Sequence, residues 1–246
     1  MKKKGLDLLG ALTGRVIVPR CAAVIVAAGT ASRMAGVDKI VADVAGKPMI
    51  LRSAAAFQAC GAVQEIIVVT RDDLREQVEE ILRAGGITKL TAVVNGGQTR
   101  AESVQKGINW CSKKVGLIAV HDGARPLVSQ RIITETIYLA AKTGAAAPAV
   151  PVRDTIRVVE GGLGVETPER TKLYAMQTPQ IFDADLLRAA TLNAMQKKLP
   201  VTDDCAALEA IGAKINITQG AEENLKVTTR LDLAVAEALA RRSDAT

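Results

Sequence analysis

The segment Val24–Met34, with Lys39 and then Gly46–Pro48 behind it, combines the residue types that a polyanion-binding loop needs. A short apolar run ends in small residues at Ala27, Ala28 and Gly29, so a buried strand gives way to a loop whose backbone can approach a ligand closely. Arg33 and Lys39 follow within that loop. Backbone N–H groups beside fixed positive charge favour a bound polyphosphate, because aligned amide dipoles and cations both stabilise anions. The chemistry implied is phosphoryl or nucleotidyl transfer. Neither G-x-x-x-x-G-K-[ST] nor G-x-G-x-x-G occurs, so a P-loop ATPase is not indicated and a dinucleotide site is disfavoured. Taken alone, the segment also fits a strand, a tight turn and a solvated Arg–Lys pair.

Three further loops follow strand patterns: Asn95–Ser103, Asp122–Arg125 and Gln219–Lys226. Loops at the carboxyl ends of parallel strands converge on one crevice, so these are the other candidates. Asp122 ends a buried-strand pattern, where a carboxylate can hold Mg²⁺ and share it with substrate phosphates, or can simply close the strand as an Asx-turn. Gly97 and Ser103 flank a helix start, where amides and a hydroxyl can read a base and ribose or merely form a turn. His121 reads as a packed, hydrogen-bonded side chain and receives no catalytic role.

The elements that must position these groups alternate between β-rich runs and helical periods, as βαβ units around a parallel sheet require. Strands are expected at 21–26, 65–70, 90–94, 117–121, 145–150 and 214–218. Pro48 suits the first turn of a helix reaching Cys60, and Asp73-x-x-Glu76 opens another that stops near Gly85-Gly86. Thr99-x-x-Glu102 is a capping box for a helix to Cys111. Helices are expected at 131–143, from Asp183, after Thr202 and from about Arg230. Between Pro151 and Tyr174 the helical period vanishes and a Gly161–Gly164 turn separates β-branched pairs, which reads as a hairpin arm. The chain is thus one domain, 21–246, with 151–174 as the arm and 1–20 as an N-terminal extension.

Composition narrows the partners. Aromatics are 2% of 246 residues, which disfavours a reader of single-stranded nucleic acid because that role needs stacking rings. The net charge of +6 is scattered, with no basic tract beyond Lys2–Lys4, so a small anionic substrate fits better than nucleic acid. Cys21, Cys60, Cys111 and Cys205 form no C-x-x-C pair and fit reduced thiols in a cytoplasmic protein. No apolar run reaches the length of a membrane span, and Asp7 interrupts the one leader-like patch.

Seven ordered segments carry a family resemblance. They are the Ala27–Gly29, Arg33-Met34 and Lys39 loop, Gly96-Gly97 with Arg100 and Ser103-Val104, His121–Pro126, Pro151–Thr155, Gln177–Phe182, Val201–Asp204 and Asn224–Thr228. Together they resemble the cytidylyltransferases of the nonmevalonate isoprenoid pathway, which act on 2-C-methyl-D-erythritol 4-phosphate. The resemblance implies a Rossmann-like nucleotidyltransferase: a three-layer α/β/α fold on a mostly parallel sheet, with a projecting β-hairpin dimerisation arm. It implies that the substrate phosphate attacks the α-phosphorus of CTP in line and pyrophosphate leaves. By the same resemblance Arg33, Lys39, Arg170 and Lys226 are catalytic, and Asp122 binds Mg²⁺. Ala27, Ala28, Gly29, Gly97, Ser103 and Gly123 would hold CTP. Arg125, Thr155, Arg170, Thr178, Thr202 and Lys226 would hold the polyol phosphate, with Thr155 and Arg170 completing the pocket of the second subunit in a homodimer.

Four positions depart from the family pattern. Ala31 stands where a second glycine is usual, Asp38-Lys39-Ile40 replaces Pro-Lys-Gln, and Gln98 replaces an acid. A methyl group in the loop and a carboxylate beside Lys39 lead to an expectation of weaker CTP binding, slower turnover or an altered loop path. A ribitol 5-phosphate cytidylyltransferase, a family with the same fold and a similar polyol phosphate, is the nearest competing reading, and the Ala31 and Asp38 departures motivate a second, a catalytically weakened CTP-binding homologue. A nicotinamide-dependent reductase lacks its glycine fingerprint.

Overall fold

Cys21–Ala27 is apolar throughout and nearly all of it is buried, as a strand covered on both faces must be. The computed structural model describes residues 18–29 and 38–244. This first strand, β1, is followed by a small antiparallel pair, β2 (Asp43–Val44) and β3 (Lys47–Pro48), and by α1 (Met49–Gln58). Then come β4 (Val63–Thr70), α2 (Arg75–Ala84), β5 (Leu90–Asn95), α3 (Arg100–Trp110), β6 (Leu117–Asp122), α4 (Gln130–Thr143) and β7 (Ala145–Pro151). The arm contains β8 (Val158–Glu160) and β9 (Leu163–Glu166). After it come β10 (Tyr174–Met176), β11 (Gln180–Asp183), α5 (Ala184–Gln196), α6 (Asp204–Glu209), β12 (Asn216–Gln219) and α7 (Arg230–Asp244).

Strands β5, β4, β1 and β6 are parallel neighbours in that order. Beyond β6 the sheet continues with β11, antiparallel to both β6 and β7, and β12 runs parallel along the far edge of β7. β10 and β11 lie along the same edge of β7, and their register slips by two residues across Gln177–Pro179. The Thr178–Pro179 peptide there is cis.

Alternation along β1 divides the core. Cys21, Ala23 and Ile25 face a cluster with Phe57, Val78, Leu82, Ile133 and Ile137 from α1, α2 and α4. Ala22 and Val24 face Val104, Ile108, Leu187 and Leu208 from α3, α5 and α6. Each fully buried isoleucine contributes roughly 2 kcal/mol from removal of apolar area from water. This is the expected three-layer arrangement. A third cluster packs α7, through Ala236 and Ala240, against Val44, Met49, Ala124 and Val227.

Most expected elements are present within a residue or two. Thr99 caps α3 by accepting from Glu102 N at 3.1 Å, as the capping box requires. Asp73 lies instead in a 3₁₀ turn (Asp72–Leu74) that leads into α2. The β2–β3 pair and the strands β10 and β11 were not legible in the pattern. At the β2–β3 corner Ala45 and Gly46 both take positive φ, the requirement of a tight hairpin turn. The arm hairpin turns in the same way at Gly161 (φ 55°) and Gly162 (φ 86°), and every residue of β8 and β9 is exposed.

Candidate active site

Strand register brings the candidate loops to one level. Val26 stands opposite Asp122, Ala27 opposite Thr70, and Thr70 opposite Asn95. The carboxyl ends of β1, β4, β5 and β6 therefore open together into a cleft of about 470 Å³. Ala27, Ala28 and Gly29 line it after β1, Gly97 and Gln98 line it from the β5–α3 loop, and Arg100 and Ser103 from the first turn of α3. Lys39, Arg71, Asp122 and Lys226 complete its charged lining.

Asp122 is the acidic residue of that lining and is surrounded by cations. Lys226 Nζ lies 2.9 Å from Asp122 Oδ2, Arg100 lies 3.6 Å from Oδ1, and Arg125 Nε lies 3.7 Å from Oδ2. Burial alone would raise the carboxyl, but Lys226, Arg100 and Arg125 together hold it down to about 2. Arg100 also pairs with the buried Asp204 at 2.7 Å, and that pairing keeps its own proton binding above the usual arginine range despite burial. Among the described residues no group of three or more His, Cys, Asp or Glu is gathered to hold a metal. A hard cation here would have one protein carboxylate and would need phosphate oxygens and water for the rest, the usual habit of Mg²⁺.

The β5–α3 loop is rigidly built. Gly96 N donates to Thr70 O at 2.7 Å, and Gly97 N donates to Ser103 Oγ at 3.0 Å, whose own proton goes to Thr99 O. A Cβ on Gly97 would lie 2.3 Å from Glu102 Cβ, so only glycine lets this loop close against α3. Gly123 is buried beneath the cleft, donating to Val26 O at 2.8 Å and accepting from Ser53 Oγ at 2.9 Å.

His121 is fully buried. Its Nε2 lies 3.2 Å from Arg125 O, which can only accept, so Nε2 carries the proton and Nδ1 accepts from the Thr178 hydroxyl at 3.0 Å. Thr178 Oγ1 accepts in turn from Asp122 N at 3.0 Å. Burial pushes the imidazole down to about 4, so it remains neutral. His121 thus packs and bonds as its sequence position led us to expect.

Arg125, Thr178 and Thr202 lie outside the cleft lining among the described residues. Arg125 donates to Asn224 O at 2.7 Å and to Met176 O at 3.4 Å, bracing the approaches to Thr178 and Lys226. Thr202 is exposed, directly before Asp203, the N-cap of α6. On the arm Thr155 is exposed, and Arg170 donates to Arg153 O at 3.0 Å, so neither is in the cleft of its own chain. Arg33 and Ala31 fall outside the described residues.

Two charged cleft residues escaped the sequence reading. Arg71 directly follows β4, and the strand-end rule applied to β4 would have found it. Arg100 was visible in the Gly96–Val104 segment but received no role. Asp38, expected to oppose anion binding beside Lys39, instead pairs with Arg71 at 2.5 Å. Its charge is neutralised where it sits.

The family model described as IspD, 2-C-methyl-D-erythritol 4-phosphate cytidylyltransferase, matches residues 21–242. A protein of that name from Caldanaerobacter subterraneus subsp. tengcongensis is 41% identical over 89% of this chain and 98% of its own length. Another from Halalkalibacterium halodurans is 39% identical over 88% and 95%. The crystal structure of 4-diphosphocytidyl-2C-methyl-D-erythritol synthase from Anaerococcus prevotii superposes with a TM-score of 0.82 at 27% identity, covering 92% of this chain and 98% of that one.

Proposed function

This chain belongs to the 2-C-methyl-D-erythritol 4-phosphate cytidylyltransferase family, and from that premise we propose how its cleft performs the family's reaction. The enzyme transfers CMP from CTP to 2-C-methyl-D-erythritol 4-phosphate in isoprenoid precursor biosynthesis, releasing pyrophosphate. A phosphate oxygen of the polyol substrate forms a bond to the α-phosphorus as the bond to the bridging oxygen of pyrophosphate breaks. The nucleophile is already an anion near neutral pH, so the step needs fixed positive charge more than a general base. The observation that carries this reading is the cation cluster of Lys226, Arg100 and Arg125 around an ionised Asp122, beside a loop of small residues.

Within it, Ala27, Ala28, Gly29, Gly97, Ser103 and Gly123 shape the CTP side, and Arg33, Lys39, Arg170 and Lys226 meet the charge that grows on the phosphates. Arg125, Thr155, Arg170, Thr178, Thr202 and Lys226 define the polyol phosphate side, Arg125 and Thr178 by holding the backbone around Asp122. Asp122, ionised and facing the cleft, fits Mg²⁺, which when bound offsets the charge of the triphosphate. The pairing of Asp38 with Arg71 removes one reason to expect a weakened homologue.

We also place the enzyme as a homodimer through the arm. Val159, Leu163 and Val165 are 59%, 73% and 53% exposed, an apolar surface that a second copy would cover. Thr155 and Arg170 would then complete the other copy's pocket. The four cysteines are free and buried, which supports a reducing compartment, the cytoplasm. No helix among the described residues is long and apolar enough to cross a membrane. Residues 1–20 precede the family match and are assigned as an extension.

The test is pyrophosphate release with CTP and Mg²⁺, offering methylerythritol phosphate and ribitol phosphate in parallel. Turnover with the first alone is expected. Turnover only with the second would overturn the substrate assignment.

A further inference from the structure

We propose that the Asp38–Arg71 ion pair is a positioning device for Lys39, fixing where its ammonium enters the cleft. The inference rests on the assignment of Lys39 to the reacting phosphates. Asp38 divides its carboxylate between two tasks: Oδ1 accepts from Ile40 N at 3.0 Å, and Oδ2 meets Arg71 NH1 at 2.5 Å. Lys39 therefore sits in a turn clamped on both sides. Behind it, Ile40 is 2% exposed in the core, and its carbonyl accepts from Ile50 N at 3.0 Å. Ahead of it, Asp38 is tied to the end of β4.

Arg71 is itself held in orientation. Its Nε and NH2 donate to Asp73 at 2.9 and 2.8 Å, which leaves NH1 directed at Asp38. It follows Thr70, whose register partner is Ala27, so the tether runs from the Lys39 turn to the strand beside the CTP loop. Lys39 Nζ reaches Val227 O at 3.3 Å, beside Lys226. The pair is only partly exposed, which lessens its screening by solvent and salt. A cation displaced by about 1 Å from a developing charge can lose on the order of a hundredfold in rate, so a tether of this kind acts on kcat. Arg71 and Asp38 act through Lys39 and are positioning residues, not catalytic ones.

The test uses Asp38→Asn, which keeps an oxygen for Ile40 N–H but gives up the charge, together with Arg71→Gln and the double variant. Each is made in the native chain and in a Lys39→Ala background, with kcat, KM for CTP and the melting temperature measured. The expected result is a roughly tenfold fall in kcat for each single variant, little change in melting temperature, and a double variant no slower than the slower single. In the Lys39→Ala background neither change should lower kcat further. Losses that multiply, or that persist without Lys39, would overturn the proposal, as would a loss confined to Arg71→Gln, which would make Arg71 a direct contact. If Lys39→Ala alone leaves turnover intact, the assignment of Lys39 fails instead, and with it the basis of this inference.

Discussion

Lys226 Nζ stands 2.9 Å from Asp122 Oδ2, although one follows β12 and the other ends β6. The backbone bond from Val227 N to Ala124 O, 2.8 Å long, places them side by side. In the free enzyme each neutralises the other, so neither is an uncompensated charge in a half-buried cleft. A bound triphosphate offers Lys226 new anionic oxygens, and a bound cation offers Asp122 a new positive partner.

Asp122→Asn should therefore lower Mg²⁺-supported turnover by roughly 10²–10³-fold, the scale on which one preorganised charge contributes. Binding of metal-free CTP should strengthen in the same variant, because an anion is removed from the site. Lys226→Ala should also slow turnover. Without Lys226, burial should raise the Asp122 carboxyl from about 2, and an acid limb of kcat/KM should move upward. Steady-state rates across pH and CTP titration with and without Mg²⁺ check both.

His121 is the only histidine in the sequence, so its ring resonances need no assignment by mutation. Its NMR titration midpoint should lie near 4, well below an exposed imidazole. The folded state binds this proton less readily than the unfolded state, so stability should fall as pH drops from about 6.5 to about 4. Above about 6.5 this contribution should be flat. Urea unfolding at a series of pH values reads the slope, and a midpoint near 6.5 would remove the buried neutral assignment.

The proposed sharing of sites between two copies gives the arm a distinctive test. Lys39→Ala and Arg170→Ala protomers should each keep only a small residual activity as homodimers. When the two are mixed and allowed to exchange, mixed dimers should hold one intact site, restoring roughly a quarter of native activity. Zero recovery from verified mixed dimers would show that Arg170 serves its own chain's cleft. Leu163→Asp on the exposed arm should shift the protein to monomer in sedimentation at micromolar concentration.

Gly107 sets helix propensity against packing. Alanine in a helix interior is favoured over glycine by about 1 kcal/mol. Here, however, an added Cβ would lie 2.4 Å from Val24 Cγ1 and 2.8 Å from Val69 Cγ2. Overpacking at such a helix–sheet contact costs about 1–3 kcal/mol, so Gly107→Ala should be net destabilising. A raised melting temperature would contradict this.

The local signals were strong where one segment carried its own instruction. The apolar run of β1, the Thr99 cap of α3 and the glycine turn of the arm each depend on neighbouring residues alone. β10 and β11 were not legible because short strands interrupted by Pro179 gain their hydrogen bonds from β6 and β7, far away in sequence. Arg71 was missed because a lone cation after a strand, with no run of small residues beside it, looks like any solvated turn, although its place at the carboxyl end of β4 was legible.

By itself, the sequence determined the layered α/β fold, the family and most of the loops that open onto the cleft, because hydrophobic period, caps and glycine positions act over a few residues. Only the tertiary structure decided how the charges are paired. It turned Asp38 toward Arg71, closed Lys226 onto Asp122 and committed His121 to Thr178 and Arg125 O. Those choices depend on distances of a few ångströms between residues remote in the chain, and a Coulomb energy follows separation in space, not position in sequence.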